Sequence, residues 1–295
     1  PFPTEPNMAT LSIDPNERVT YKVRYEDADL LVVAKSAGIV TTPGKGHERD
    51  SLLNGLFHAY GPKLQNVGKD RDFGLLHRLD RTTSGLLIVA LNTHVYDALR
   101  EAFKAREIAK FYWAVTKQAP KTPKGVINKP ILEYKGESAG DSRTKKLSRV
   151  SSSGKPALTA YRTLATSAVA ALLECRAITG RLHQIRVHLD SIGCAILGDE
   201  MYGPASVRDA SPRLALHAHR VNFTHPISGK KIDVRSPWPA DLRSMLHGMS
   251  LPRPDEMKPA KANEETTDPA EESGGSDEEL DAADRGEHVD GMDEE

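Results

Sequence analysis

Short strand-type segments that are not separated by regular helices constrain this fold most. Leu30–Ala34 and Leu86–Ala90 are apolar runs of five residues, short enough for buried strands. Residues 108–115 alternate with the period of two that is typical of a strand. The strands and helices do not follow each other in the regular rhythm of a parallel α/β fold. The pattern therefore predicts an α+β fold with a largely antiparallel sheet.

The remaining elements are predicted from the same periodicities. We expect further strands at 21–25, 159–163 and 170–178, and helices over 51–60, from 92 or 93 to about 107, and over 183–192. Gly180 is expected to open the last of these helices, and Gly193 to end it. Residues 117–155 carry ten Lys or Arg and three acidic residues, and we predict a basic loop there.

The net charge of −1 conceals two parts of opposite sign. Residues 251–295 contain 17 Asp or Glu and 4 Lys or Arg, whereas residues 1–250 contain 24 Asp or Glu and 36 Lys or Arg. The basic part has the size of one large domain and indicates a polyanionic partner. The acidic part has no aromatic residue and almost no aliphatic ones, so we predict disorder there. The expected organisation is a loose leader at 1–18, a domain at 19–250 and an acidic tail at 251–295.

The sequence also indicates where the protein works. It has no run of 18 apolar residues that would predict a membrane span. Residues 1–10 lack the layout of a signal peptide, and Cys175 and Cys194 are too few for a disulfide framework. We therefore expect a reducing, cytoplasmic setting.

The first candidate for chemistry is the segment 77–90. It places Asp80 between Arg78 and Arg81, directly before a buried strand. Neighbouring guanidinium groups favour the ionised carboxylate, which can act as a nucleophile or a base. The alternative is an Asp–Arg pair on the surface of a turn, which these residues taken alone favour.

The second candidate is the segment 179–193. Arg181, His183 and Arg186 crowd the predicted start of a helix, where cations oppose the helix dipole. A carboxylate or a phosphate nearby would explain them. A surface pair of Arg186 with Asp190 is the alternative. A zinc site formed by His183 and His188 is disfavoured, because five residues separate them instead of four.

Three further segments carry polar or aromatic side chains. Phe111, Trp113 and Val115 are assigned to the core face of their strand, so that Lys110 and Tyr112 point to the other face. There Tyr112 can stack on a nucleobase, although packing is the commoner role of a strand tyrosine. Asp199 lies in a turn bounded by glycines and is assigned to that turn. His217 and His219 share one face, where packing or phosphate contact is expected rather than metal binding.

Several motifs in one order resemble a known family. They are HRLDRTTSGLL at 77–87, KFY at 110–112, TGRLHQIRVH at 179–188, GDEMYG at 198–203 and HPISGK at 225–230. Together they are similar to the RluA-like family of pseudouridine synthases, over Val19 to about Leu242. Residues 25–38 resemble the opening motif of the family, except that Ser36 stands where proline is usual.

The resemblance implies a fold, an activity and a set of residues. The fold would be the pseudouridine synthase fold, a mixed sheet with flanking helices and a central RNA-binding cleft. The activity would be isomerisation of uridine to pseudouridine in ribosomal or transfer RNA, without a cofactor or metal. Asp80 would be the catalytic aspartate, Tyr112 the active-site tyrosine and Arg186 the basic partner of the aspartate. RNA contacts are expected from Arg78, Arg81, Lys110, Arg181, His183 and Gln184.

Two other functions remain to be weighed against a monomeric synthase. A non-catalytic RNA-binding protein or RNA chaperone of the same fold would bind RNA without isomerising it. A metal-dependent phosphodiesterase or nuclease would use the histidines and lose its activity with a chelator. We also expect no S4-type RNA-binding domain before Val19.

Overall fold

The computed structural model describes residues 11–138 and 141–257. The predicted leader lies partly, and the predicted acidic tail mostly, outside the described residues. Residues 11–18 contact the rest of the protein: Leu11 and Ile13 pack against the main core. The Ser12 amide donates a hydrogen bond to Gln65 Oε1 at 2.8 Å. This part of the expected leader is therefore packed.

The described residues form a nine-stranded sheet and a separate two-stranded one. The strands are β1 (Lys22–Glu26), β2 (Leu30–Lys35), β3 (Ser84–Ala90), β4 (Ala109–Thr116), β5 (Lys124–Asn128), β6 (Ile131–Ser138), β7 (Asp141–Val150), β8 (Leu158–Thr166), β9 (Ala171–Ala177), β10 (Leu216–Thr224) and β11 (Lys231–Arg235). The main sheet has the order β1-β2-β3-β10-β4-β9-β8-β5, and β11 pairs with β10. Neighbouring strands in this sheet are antiparallel, except for β3 and β10, which are parallel to each other. The predicted α+β class is confirmed.

Five α-helices accompany the sheet in the described part of the chain. They are α1 (Leu52–Val67), α2 (Thr93–Lys104), α3 (Gln184–Asp190), α4 (Ala205–Arg208) and α5 (Arg243–Gly248), with 3-10 turns at Lys69–Gly74 and Ala240–Leu242. Side chains of Ser51 and Asn92 cap α1 and α2 by accepting hydrogen bonds from backbone amides in the first turn. None of these helices is long and apolar enough to cross a membrane. Cys175 and Cys194 are buried free thiols.

The start of α3 differs from the prediction. Gly180 does not open this helix, which begins at Gln184 after a turn. His183 precedes it in the left-handed conformation, with φ 54° and ψ 22°. A residue with that backbone cannot be part of a right-handed helix, so the helix starts after it.

The basic segment 117–155 is not a loop as predicted. It contains β5, which joins the main sheet, and the β6–β7 hairpin, which forms the two-stranded sheet. Ile131, at the base of this hairpin, is buried with Ala157 and Val187, while Val150 packs against them. Because so few apolar side chains of the hairpin reach a core, its sequence lacks the hydrophobic alternation by which a strand is recognised.

The main sheet is covered on both faces, which changes the prediction for β4. One core contains Leu31, Val33 and α1, and the other contains Leu30, Val32 and α2. In β4, Trp113 and Val115 are buried as predicted. Phe111 is only half-buried, however, and the guanidinium groups of Arg176 and Arg220 lie over its ring at 6.0 and 5.2 Å. A sheet buried on both faces leaves no polar side by which alternation identifies the core.

Candidate active site

The loop that carries Asp80 enters the middle of the main sheet at β3. Gly85 and Ser84 lie opposite Ala218 and His217 in the parallel pair of β3 and β10. Gly85 has φ 125°, and a Cβ atom at this position would lie 2.3 Å from the carbonyl oxygen of Ala218. Only glycine permits both this backbone conformation and this approach of the two strands. The close contact fixes where the Asp80 loop begins its strand.

Hydrogen bonds hold the Asp80 loop in place from the segment that follows β2. Thr41 Oγ1 donates to the carbonyl of Leu79 at 2.8 Å and accepts from its amide at 3.2 Å. The Gly38 amide donates to the carbonyl of Arg81 at 2.7 Å, and the Thr83 amide donates to that of Asp80 at 3.1 Å. The backbone on both sides of Asp80 is therefore fixed, and 22% of its side chain stays exposed.

Arg186 of α3 lies between two carboxylates. Its Nη1 donates to Asp80 Oδ2 at 3.2 Å, while Nε and Nη2 donate to the two oxygens of Asp199 at 2.8 Å each. Burial alone would lower the pKa of Arg186, but the hydrogen bonds and charge of Asp199 and the charge of Asp80 raise it overall. Arg186 thus remains a cation next to Asp80. Its ion pairs are with Asp80 and Asp199 instead of the alternative partner Asp190.

Asp199 is the residue that the sequence interpretation assigned only to a turn. It does accept hydrogen bonds in that turn, from the amides of Met201 at 2.9 Å and Tyr202 at 3.2 Å. Burial by itself would raise the pKa of Asp199, but its hydrogen bonds and the charge of Arg186 lower it. In the sequence, the cluster of cations near the start of α3 had indicated that a negative group lies nearby. The carboxylates of Asp80 and Asp199 are these negative groups.

Tyr112 lies in β4, near enough to Asp80 for the charge of the carboxylate to act on its hydroxyl. The tyrosine is 8% exposed. Burial, followed by the charge of Asp80, raises the pKa of its hydroxyl above the usual range, so the group is protonated at neutral pH. β10 lies between β3 and β4, so Asp80 and Tyr112 come from two strands of the central sheet that are not direct neighbours.

Lys35, at the end of β2, is a buried cationic residue that the sequence interpretation missed. Its Nζ donates to the carbonyl oxygens of Ile39 at 2.7 Å, Ser36 at 3.0 Å and Arg81 at 3.4 Å. Burial lowers the pKa of Lys35 to about 7, although the charge of Asp80 acts in the opposite direction. The available signal was its place directly after the apolar run Leu30–Ala34. Lys35 joins β2 to the Asp80 loop.

The residues predicted to contact RNA differ in their accessibility. Arg78 and Arg81 are exposed on either side of Asp80, as a surface for RNA requires. Arg181 is half-buried, and its Nε donates to the carbonyl of Pro156 at 3.1 Å. Lys110 is also half-buried, with Nζ 5.0 Å from the centre of the Phe103 ring. Burial lowers the pKa of Lys110 to about 8.

Gln184 conflicts with its predicted role in RNA binding. It is 4% exposed. Its Nε2 donates to Leu158 O and Thr159 Oγ1, both at 2.9 Å, while Oε1 accepts from Thr179 Oγ1 at 2.7 Å and from the Arg181 amide at 3.0 Å. Because its amide group is fully bonded within the protein, Gln184 fixes the start of α3 and has no free donor or acceptor for RNA.

Among the described residues, His188, His217 and His219 are engaged by contacts within the protein and do not belong to a group that could hold a metal ion. His188 uses both ring nitrogens, at 2.9 Å from Thr159 Oγ1 and at 2.9 Å from the carbonyl of Lys129. His217 and His219 are buried, and the His219 ring stacks on Trp113 with the centroids 3.8 Å apart. Packing is thus confirmed for these two.

Comparison with known proteins identifies the family. A model of the family described as RNA pseudouridylate synthase matches residues 29–191. The chain belongs to this family. An RNA pseudouridine synthase of Synechocystis is 34% identical over 231 residues, which are 78% of this chain and 69% of that protein. The ribosomal large subunit pseudouridine synthase D of Zymomonas mobilis is 36% identical over 236 residues, 77% of this chain and 72% of that protein.

A solved structure agrees with the family assignment. The structure of human RNA pseudouridylate synthase domain containing 4 is 26% identical, with a TM-score of 0.61, and the match covers 79% of this chain and 94% of that one. The pseudouridine synthase fold that the motifs implied is therefore confirmed. The protein is an RNA pseudouridine synthase, an isomerase, and the non-catalytic RNA-binding alternative is not favoured.

Proposed function

We propose that this RNA pseudouridine synthase modifies RNA of the large ribosomal subunit, with Asp80 as its catalytic residue. The observation that carries the proposal is the carboxylate of Asp80, partly exposed, bound by the buried cation of Arg186 and near enough to Tyr112 for its charge to act on the hydroxyl. The choice of ribosomal RNA is supported by relatives from Zymomonas mobilis and Nitrosomonas europaea that are named ribosomal large subunit pseudouridine synthase D.

The reaction requires an ionised carboxylate near C1′ of the target uridine. The bond between N1 of uracil and C1′ breaks, the uracil turns, and its C5 forms the new bond to C1′; the proton on C5 leaves to water and N1 takes up a proton. Two routes use Asp80: it attacks C1′ and forms an ester, or it assists the departure of uracil on the way to a glycal. Both use the carboxylate to which Arg186 donates a hydrogen bond.

Tyr112 and the exposed arginines have separate roles in this proposal. The target base must be single-stranded or flipped out of its helix, because the sugar and base of a stacked nucleotide are out of reach. Tyr112 then stacks on the flipped uracil and, being protonated, serves as a proton donor. Arg78 and Arg81 bind phosphates or occupy the space that the base leaves. Lys110 and Arg181, which are half-buried, are proposed as further RNA contacts.

The proposal also comprises a monomeric enzyme that acts in the cytoplasm. No nucleotide cofactor is needed, because isomerisation moves no group from a second substrate. The excess of Lys and Arg in residues 1–250 favours binding of RNA phosphates, so affinity should fall steeply as the salt concentration rises.

The test is the release of tritium from RNA labelled at C5 of uracil. The intact protein should release tritium from unmodified large-subunit ribosomal RNA and not from transfer RNA, and Asp80→Asn should release none. Asp97→Asn is the matched control, because Asp97 pairs with Arg71 on the surface of α2. Equal release by Asp80→Asn and the intact protein would refute the role of Asp80. Release from transfer RNA alone would refute the substrate.

A further inference from the structure

Tyr202, which no step above uses, connects three parts of the protein around Asp80. Its hydroxyl oxygen lies 2.7 Å from His183 Nδ1 and accepts a hydrogen bond from the Ser148 amide at 2.9 Å. The guanidinium group of Arg186 lies over its ring, with Cζ 5.0 Å from the ring centre. The other ring nitrogen of His183, Nε2, is 3.9 Å from Asp80 Oδ1. One tyrosine thus touches the β6–β7 hairpin, the cation of the site and the histidine beside the catalytic carboxylate.

The contacts determine which nitrogen of His183 carries the proton. Burial lowers the pKa of His183, although the charge of Asp80 opposes this, so the ring is neutral at pH 7. Among the described side chains, His183 is the acceptor that the Tyr202 hydroxyl proton can reach. If that proton goes to Nδ1, Nε2 carries the ring proton and directs an N–H group at Asp80. The opposite tautomer would turn a lone pair toward the carboxylate and leave the hydroxyl proton without a partner, so it is disfavoured.

The hairpin supplies the fixed end of this connection. Ser148 is 1% exposed, and Tyr202 also packs against the small apolar cluster of Ile131, Ala157 and Val187 at the base of the hairpin. His183 itself has a left-handed backbone, which costs free energy in a residue other than glycine unless its surroundings hold it. The hydrogen bond to Tyr202 is one such contact.

We propose that Tyr202 is a positioning residue for the reaction: it holds His183 in the tautomer and orientation that direct Nε2–H at Asp80, and the β6–β7 hairpin anchors it. His183 is then a second positioning group: it directs Nε2–H at Asp80 Oδ1 from 3.9 Å, while Arg186 donates a hydrogen bond to Oδ2. This inference rests on the proposed role of Asp80. It assigns His183 to the carboxylate and not to RNA.

The kinetic test is a double-mutant cycle with tritium release as the assay. Tyr202→Phe keeps the ring over Arg186 and removes the hydroxyl. His183→Asn removes the group that reaches Asp80 and tolerates the left-handed backbone. We expect each change to lower kcat about fivefold, the equivalent of ~1 kcal/mol for one hydrogen bond, and to leave KM for RNA unchanged. The double variant should be no slower than His183→Asn, because the two residues act in series.

Two controls separate this role from a structural one. Tyr60→Phe is the matched hydroxyl deletion, since Tyr60 donates to Glu26 at 3.0 Å away from these contacts, and it should retain the kcat of the intact protein. The proposal would be overturned if the loss of kcat in the double variant were the product of the two single losses. It would also be overturned if the variants changed KM and left kcat unchanged.

A second measurement does not depend on activity. Nitrogen-15 NMR of the imidazole groups distinguishes the two tautomers, and the His183 signal is assigned by its loss in His183→Asn. We expect a proton on Nε2 in the intact protein and a mixture of tautomers in Tyr202→Phe. A proton on Nδ1 in the intact protein would refute the inference. If the intact protein released no tritium, the proposed function would fail. The NMR measurement of the His183 tautomer would still test whether Tyr202 positions His183.

Discussion

Replacing Asp199 by Asn tests whether the buried ion pair carries as much free energy as its geometry implies. The Asp199 and Arg186 side chains are 2% and 4% exposed, and two hydrogen bonds of 2.8 Å join them. The amide of Asn keeps one acceptor for the backbone of the turn but removes the negative charge. Arg186 would stay buried with one hydrogen bond to the remaining oxygen, and its ion-pair partner among the described residues would be the more distant, partly exposed Asp80. Removing one partner of a buried pair costs about 3–5 kcal/mol.

A matched pair at the surface gives the control. Asp97 accepts from Nε and Nη2 of Arg71 at 2.9 and 3.0 Å, which is the same two-pronged geometry, but its side chain is 57% exposed. Exposed pairs contribute at most about 1 kcal/mol, so Asp97→Asn should change little. Burial is the variable that separates the two substitutions.

The assay is thermal and urea unfolding of both variants at pH 7. For a domain of this size, 1 kcal/mol corresponds to about 2–4 °C in Tm. We expect Asp199→Asn to lose about 6–20 °C in Tm, and Asp97→Asn to stay within about 4 °C of the intact protein. Asp199→Asn should also lose most of its tritium release, because Arg186 is no longer held beside Asp80. Equal losses of Tm in the two variants would refute the reasoning from burial.

Three other outcomes are expected. Burial lowers the pKa of Lys35 to about 7, so between about pH 7 and 10 the unfolded chain binds more protons than the folded protein. The contribution of Lys35 to the free energy of unfolding should therefore rise with pH in that range. In Lys35→Met the rise in Tm with pH should be smaller. Deleting residues 258–295, which carry 15 acidic and 3 basic residues, should tighten RNA binding at low salt if the acidic segment competes with RNA, and unchanged affinity would discard that idea. A metal ion could be reached together by Asp27, Asp29 and His225. Both ring nitrogens of His225 are, however, hydrogen-bonded within the protein. The chelator EDTA should therefore leave tritium release unchanged.

The sequence predicted the parts of the site that lie next to each other along the chain or at the ends of clear elements. Asp80 between two arginines and Tyr112 in β4 were candidates, but the residues alone favoured a surface pair for the first and packing for the second. The resemblance to the family assigned both to the active site. The partner of Arg186 was expected to be negative, but which carboxylates approach it depends on how the turn at Asp199 folds back. Sequence spacing carries no information on that contact, so Asp199 was assigned only to the turn.

Other differences have equally specific causes. The resemblance to the family implied an RNA contact for Gln184, yet its bonds to Leu158 and Thr159 turn it inward. Lys35 was missed because a lysine is rarely buried, and only the three carbonyl oxygens around it make burial possible. The β6–β7 hairpin was missed because its strands bury few apolar side chains.

The position of β10 has a consequence for the synthesis of this protein. Leu216–Thr224 is the only strand, among those described, that joins β1, β2 and β3 to the rest of the main sheet. Asp80 and Tyr112 therefore belong to two separate groups of strands until the chain up to Thr224 has left the ribosome. Contacts between residues so far apart along a chain form slowly. The emerging chain should thus remain inactive until β10 has formed. Until then, the edges of β3 and β4 that pair with β10 have no partner strand.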